Sequence, residues 1–326
     1  MSQNVEVFHK KVLITGAAGF IGSALAEHVQ TAQPRGELVL TDPRPPGYIE
    51  QLHSRASFVP ADLSDPEACR ELISTEITTV FHCASLISGG AERDFVNGIK
   101  ANVLGTMNLL EACRMRGHCP TVVFTSSIAV FGGADLPSTV DDLTFLHPQT
   151  SYGTAKVIGE QLLNDYSRRG YIDGRGIRLP AVVIRDEPSP SADGITGAIL
   201  REPLRGREYI CPLEPETRIP LLGIHDCVEI LNALSSLQAR AFGDYRIINS
   251  PNLTPSIEEM VAAVKDAECP NPGAVVFRPD DKIGKTINAW PKNMKSSRAE
   301  NLGLRATSTL NEIISDYLSR TNAENS

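Results

Sequence analysis

The chain has 326 residues, 41% of them hydrophobic and 21% charged, and a formal net charge of -8. That length allows a large α/β domain with a smaller companion, and the composition excludes disordered and collagen-like classes. The acidic balance, with no dense Lys/Arg run, removes a phosphate-backbone footprint and argues against nucleic acid as a partner.

Residues 1–10 lack the basic-then-apolar pattern of a secretory signal, and no apolar run reaches the roughly 18 residues a membrane helix needs, so no membrane role is expected. Seven cysteines with no C-x-x-C pair fit reduced thiols in a cytoplasmic protein. Seven scattered histidines, with no H-x-x-x-H pair, argue against a built-in metal.

A short apolar run, Val12 to Ile14, predicts a buried strand, and Gly16, Gly19 and Gly22 lead from it into a helix over Phe20 to about Thr31. Gly16 suits a tight turn, Gly19 lets backbone amides approach a pyrophosphate, and Gly22 lets the helix pack closely on the strand. The pyrophosphate would then rest on the positive end of the helix dipole. The spacing is G-x-x-G-x-x-G, a variant of the dinucleotide fingerprint, and taken alone a packed strand-turn-helix explains it equally well.

The second strand, Glu37 to Thr41, ends at Asp42, twenty residues after Gly22. A carboxylate there accepts both ribose hydroxyls of an adenosine and repels a 2'-phosphate, which favours NAD over NADP even with Arg44 nearby. A turn aspartate before Pro43 is the plainer alternative. Ser57 to Pro60 predicts a third strand, and Ser64 to Glu67 a capping box with Ser64 as N-cap; Asp62, just before it, is placed to face an adenine ring.

Thr78 to Cys83 reads as a fourth strand, with Cys83 in the core, and the small residues Ala84 and Ser85 open the loop where a doubly wound sheet holds its ligand. Apolar positions at helical spacing predict one long helix from Phe95 to Arg116, and Asn102 within it reads by itself as a packing hydrogen bond. A fifth strand, Pro120 to Ser127, and a helix, Gln149 to Arg169, follow.

Gly176 to Ile184 predicts a sixth strand ending at Arg185, after which a proline-rich, charged loop leaves the sheet. Further elements are expected at Ile195–Arg205 (helix), Arg218–Leu222 (strand), Ile224–Gln238 (helix), Asp244–Asn249 (a strand returning to the sheet), Pro255–Ala267 and Thr309–Leu318 (helices). The expected fold is α/β, a doubly wound parallel (Rossmann) sheet with a smaller, interleaved C-terminal substrate domain. Residues 1–185 and 223–255 would form the dinucleotide-binding part, and 186–222 and 256–326 the substrate-binding part.

Tyr152 and Lys156 lie four residues apart, hence one helical turn apart on one face. A free tyrosine titrates at about 10, too high for a base at neutral pH. A lysine ammonium one turn away favours the tyrosinate by about 4 kcal/mol at about 4 Å in an effective dielectric of roughly 20. Tyr152 could then take a proton from a substrate hydroxyl while Ser127, at a strand end, donates a hydrogen bond to the same oxygen. A lone Y-x-x-x-K is usually an exposed helix pair. Its place after Ser126-Ser127, downstream of a glycine loop and an acid, is what gives it meaning here.

T-G-A-A-G-F-I-G (Thr15 to Gly22), Asp42, Asp62-Leu63, F-H-C-A-S (Phe81 to Ser85), Asn102, S-S-I-A-V-F-G (Ser126 to Gly132) and Y-G-T-A-K (Tyr152 to Lys156) together resemble the extended short-chain dehydrogenase/reductase family. The resemblance implies Ser127, Tyr152 and Lys156 as the catalytic set. It also implies a cofactor cradle of Gly16, Gly19, Phe20, Ile21, Gly22, Asp42, Asp62, Leu63, Ala84 and Asn102 together with Tyr152 and Lys156, and a homodimer through residues 95–116 and 150–169.

I-R-L-P-A-V-V-I-R (Ile177 to Arg185), C-P-L-E-P-E-T-R (Cys211 to Arg218), A-W-P-K (Ala289 to Lys292) and R-A-E-N-L-G-L-R-A (Arg298 to Ala306) are similar to the D-erythronate dehydrogenase branch of that family. This implies NAD-dependent oxidation of a small sugar acid at its 2-hydroxyl. A carboxylate of that kind suits a bidentate arginine, with Arg185, Arg201 and Arg218 as candidates and Ser85 and Ser127 as polar partners. A nucleotide-sugar epimerase or dehydratase, and a non-catalytic NAD-sensing protein, remain alternatives; an intact Ser127, Tyr152 and Lys156 speaks against the last.

Overall fold

The computed structural model describes residues 11–51, 54–186 and 192–324. The first half runs β1 (Lys11–Thr15), α1 (Phe20–Ala32), β2 (Glu37–Thr41), β3 (Ala56–Phe58), α2 (Pro66–Leu72), β4 (Ile77–His82), α3 (Ser88–Arg93), α4 (Phe95–Ile99), α5 (Gly105–Arg116), β5 (Thr121–Ser127), β6 (Thr139–Val140), α6 (Ser151–Arg168) and β7 (Asp173–Leu179). The second runs β8 (Ala181–Val183), α7 (Ala192–Leu204), β9 (Tyr209–Cys211), β10 (Leu221–Gly223), α8 (Ile224–Ser236), β11 (Ile247–Asn249), α9 (Ile257–Asp266), β12 (Val275–Phe277), α10 (Asp281–Asn288), β13 (Asn293–Met294), α11 (Ser297–Asn301) and α12 (Leu310–Glu324).

Seven strands form one parallel sheet in the order β11-β7-β5-β4-β1-β2-β3. Strand order reverses between β1 and β4, and the loops leaving those two strands diverge to open a crevice at their carboxyl ends. Helices cover both faces, so the central strands β1, β2 and β4 are buried along most of their length and not alternately exposed. The period of two still sorts them. Val12 and Ile14 join Leu25, Val29 and Leu231 under α1 and α8, while Leu13 joins Val80, Leu110 and Leu163 under α5 and α6. Burying each such side chain contributes about 1.5–3 kcal/mol. A separate core of Ile199, Leu200, Leu221, Met260, Val264, Ile313 and Tyr317 supports the smaller lobe. Among the described residues, no helix is long and apolar enough to cross a membrane.

Four local expectations are corrected. The stretch expected as one strand over Gly176–Ile184 belongs to two, β7 and β8. Pro180 lacks an N–H, β7 stops at Leu179, and β8 leaves the main sheet to pair with β10. The predicted helix over Phe95–Arg116 is interrupted by a π-helical turn at Lys100–Leu104 between α4 and α5. Helix α2 is capped by Asp65, whose carboxylate accepts from the Glu67 amide at 2.9 Å, because Pro66 takes the first helical position; Glu67 pairs with Arg70. The strand expected from Arg218 begins at Leu221, and Arg218 makes a single antiparallel bridge to Ser256.

Candidate active site

Between β1 and α1 the chain turns at Gly16 with φ of +70°, a conformation that favours glycine, and a Cβ there would stand 2.6 Å from the Ala84 amide nitrogen. A Cβ on Gly22 would lie 2.1 Å from the Gly16 carbonyl oxygen. The loop is thus pressed between the β4 loop and its own helix. Gly19 is the N-cap of α1, no side chain caps that end, and no acid stands in the first turn. Such an end leaves backbone N–H groups and the positive end of the helix dipole facing the crevice, a fit for a pyrophosphate.

Asp42, at the end of β2, accepts from the Ala18 amide of the same loop at 3.3 Å. Its charge is felt by Tyr48, whose phenol is pushed up to about 12, first by burial and then by Asp42. Tyr48 donates to the Ala17 carbonyl at 2.8 Å. Asp62 is exposed, with its carboxylate turned to the Ser64 amide at 2.9 Å, and Leu63 is buried beside it. Asn102, on the π-helical turn, is 5% exposed and ties down the β4 loop: its Oδ1 accepts from Ser85 Oγ at 3.1 Å and the Leu86 amide at 2.7 Å, and its Nδ2 donates to the Leu86 carbonyl at 2.9 Å. Asn102 therefore shapes the loop around Ala84 and Ser85.

Ser127 ends β5 and caps the short turn Ile128–Val130; its Oγ accepts from the Ala129 amide at 3.1 Å, which leaves the hydroxyl hydrogen free to donate. Helix α6 begins against that turn. Thr150 caps it, accepting from the Gly153 amide at 3.0 Å, and a Cβ at Gly153 would lie 2.1 Å from the Ala129 carbonyl oxygen. The missing side chain lets the first turn of α6, with Tyr152, approach Ser127. One turn on, Lys156 is 4% exposed, donates to the Thr125 carbonyl at 2.7 Å, and holds its ammonium 5.4 Å from the centre of the Tyr152 ring. Burial lowers the Lys156 ammonium to about 8, against the opposing pull of Cys83 and Glu160.

Ser127, Tyr152 and Lys156 line one cleft together with Gly16, Gly19, Phe20, Ile21, Gly22 and Ser85. Cys83 lies just past β4, packed against the core under α1 and α8 and lining this cleft; burial raises its thiol to about 12, so it stays protonated. His82 bonds Thr15 Oγ1 at 2.8 Å and Thr106 Oγ1 at 3.0 Å, and burial, then the Lys156 charge, depress it to about 3. It is a neutral strut between β1 and α5.

Of the three arginines expected near a substrate carboxylate, Arg185 lines the cleft, its guanidinium 5.3 Å from the Phe20 ring centre. The other two are elsewhere. Arg201 is buried against Glu202 at 2.7 Å, and exposed Arg218 pairs with Glu259 at 3.1 Å. Trp290, from the segment between α10 and β13, closes the same cleft with Pro180 and Pro220. It was not among the residues expected from sequence as substrate contacts, although it is the chain's one tryptophan. Also unforeseen is a buried Glu160–Arg178 pair, at 2.9 Å, behind Ser126.

A nucleotide-type crevice, an uncapped glycine-rich helix start and a Ser/Tyr/Lys cluster belong to a recognised class, and the model of the NAD dependent epimerase/dehydratase family matches residues 12–247. The chain belongs to that family. It is 38% identical over 318 residues to the D-erythronate dehydrogenase of Cupriavidus necator, covering 94% of this chain and 97% of that one. It is 32% identical to the D-erythronate dehydrogenase of Haemophilus influenzae, covering 94% of this chain and 98% of that one. Among solved structures, one described as a nucleoside-diphosphate-sugar epimerase from Agrobacterium tumefaciens superposes with a TM-score of 0.90 at 33% identity, covering 98% of this chain and 97% of that one.

Proposed function

We infer that this chain is an NAD-dependent dehydrogenase of short sugar acids, oxidising the 2-hydroxyl of D-erythronate to the 2-oxo acid. The observation that carries the reading is the convergence of Ser127, Tyr152 and Lys156 on the cleft that also receives the glycine loop. The near full-length similarity to two D-erythronate dehydrogenases supplies the substrate class. The loop of Gly16, Gly19 and Gly22 holds the pyrophosphate, Asp42 the adenosine ribose, and bound NAD supplies the acceptor for the hydride. Asp42 favours NAD over NADP.

The chain's own groups handle the proton. Ser127 donates a hydrogen bond to the substrate's hydroxyl oxygen, and Tyr152, as the phenolate, removes the proton of that substrate hydroxyl. Lys156, fixed by the Thr125 carbonyl, places positive charge beside the Tyr152 ring and stabilises the phenolate. Arg185, which lines the same cleft, is the arginine assigned to the sugar-acid carboxylate. Exposed Leu104, Met107 and Ile158 around α5 and α6 support a homodimer packed through those helices.

The test is reduced-cofactor absorbance across C4 to C6 aldonates with NAD and NADP. Tyr152→Phe is expected to lower kcat by about 10²–10⁴ while NAD affinity stays within a few-fold. Near wild-type turnover by that variant would remove Tyr152 from the chemistry. A nucleotide-sugar epimerase, the description carried by the Agrobacterium structure, would instead interconvert its substrate with no net NADH.

A further inference from the structure

Behind the cleft, three side chains from three elements meet without solvent. Ser126 on β5 and Arg178 on β7 are direct neighbours in the parallel register, and both reach Glu160 on α6. Ser126 Oγ donates to Glu160 Oε1 at 2.5 Å; Arg178 donates from Nε to Oε1 and from Nη2 to Oε2, each at 2.9 Å. Glu160 and Arg178 are both fully buried. Arg178 is gripped further by the Tyr245 hydroxyl at 2.5 Å, Asn249 Oδ1 at 3.3 Å and the Asp142 carbonyl at 3.2 Å. Desolvating a charged pair is costly, and well-packed apolar residues would serve a core equally well, so stability alone is a poor reason for it.

Its location offers a better one. Glu160 stands one helical turn beyond Lys156 and two beyond Tyr152 on α6, and its Ser126 partner immediately precedes Ser127. Successive strand side chains point to opposite faces, so pinning Ser126 toward α6 fixes the rotation of the strand end and hence the direction of Ser127. We propose that the Ser126–Glu160–Arg178 cluster is a positioning device that holds the Ser127 turn of β5 in register with Tyr152 and Lys156 on α6. Arg178 fixes the carboxylate; the carboxylate fixes the strand. The proposal rests on the dehydrogenase reading for its kinetic consequence, but the anchoring itself is a property of the unliganded chain.

Ser126→Ala removes the strand's bond and leaves the ion pair intact, so it is the variant to make first. Two measurements are taken on it. Hydrogen exchange of the segment spanning residues 125–131, in the unliganded protein, is expected to speed up about 10-fold. With the sugar acid that the wild type oxidises, kcat per NAD-binding site is expected to fall about 10-fold, with KM and NAD affinity changed less than about threefold, and Ser126→Thr to recover most of the loss. A merely structural bond would reduce the number of competent sites and the melting temperature and leave kcat per site alone. Unchanged exchange, or unchanged kcat per site in a protein that exchanges faster, overturns the proposal. Glu160→Gln is expected to show the same kcat loss together with lower stability, since it leaves the Arg178 charge buried without its partner. If the wild type oxidises no sugar acid, the dehydrogenase reading fails, and the exchange measurement still decides the anchoring.

Discussion

Two sets of residues line the cleft: Ser127, Tyr152 and Lys156 come from the end of β5 and the start of α6, whereas Pro180, Arg185, Pro220 and Trp290 come from three separate connecting stretches. The first set is built on sheet and helix, with two of its three functional groups tied to backbone: Ser127 to the Ala129 amide and Lys156 to the Thr125 carbonyl. The second is built on connections leaving the sheet and on the smaller lobe. A regular scaffold fixes angles well enough for proton transfer, whereas a wall of loops varies readily in shape. On the dehydrogenase reading proposed above, the chemistry would fall to the first set and the choice of substrate to the second.

The largest effect expected from breaking that contrast is at Gly153. An alanine Cβ would sit 2.1 Å from the Ala129 carbonyl oxygen, and both are backbone-fixed, so the first turn of α6 must move away from the Ser127 turn. A shift of about 1 Å costs on the order of 10² in rate. Gly153→Ala is expected to lose that much kcat with NAD affinity within a few-fold, measured by steady-state kinetics beside direct cofactor titration. Retained kcat would mean that the scaffold side tolerates slack, and the two walls would no longer differ in kind.

A smaller effect, on stability, sharpens how rigid the sheet side is. His82 is held neutral between Thr15 and Thr106, with its folded pKa lowered from 6.5 to about 3. Below the unfolded value the unfolded chain binds a proton that the folded chain does not, so stability falls as pH falls from 6.5 toward 3. Between about pH 6.5 and about pH 5 this amounts to roughly 1.5–2 kcal/mol. Urea unfolding of the wild type should show that acid slope, and His82→Gln, whatever its own stability, should lack it.

What the sequence made legible follows the same division. The strand-glycine-helix run and the Tyr152/Lys156 spacing are local: their geometry is set within a turn or two of chain, and the structure brings them to one cleft. Arg201 and Arg218 were equally plausible carboxylate ligands because an arginine's role depends on its partner, and their partners, Glu202 and Glu259, emerge only on folding. Glu160 reads as one more solvated charge on a helix until Arg178 arrives from β7 to bury it. The break at Pro180 was available from the missing N–H, but an apolar run on both sides of it reads as one strand. Trp290 had its rarity and its place in the A-W-P-K stretch as signals, but neither put it in the cleft: the segment that carries it is held by β13 pairing with β6, a contact between residues 293–294 and 139–140.

The smallest effect lies on the loop-built wall. Trp290 is half-buried and lines the cleft together with Pro180 and Pro220. Truncating it removes apolar contact that ground state and transition state share, which is worth about 10-fold in substrate affinity at the low end for a hydrophobic pocket. Trp290→Ala is therefore expected to raise KM for the sugar acid about 10-fold with kcat within about threefold and NAD affinity unchanged. Because the chain has no other tryptophan, the wild-type emission reports on this wall alone and should shift when a sugar acid binds. A fall in kcat to match the Gly153 variant would mean that Trp290 aligns the reacting carbon as well as holding the substrate, and that the smaller lobe takes part in positioning for catalysis.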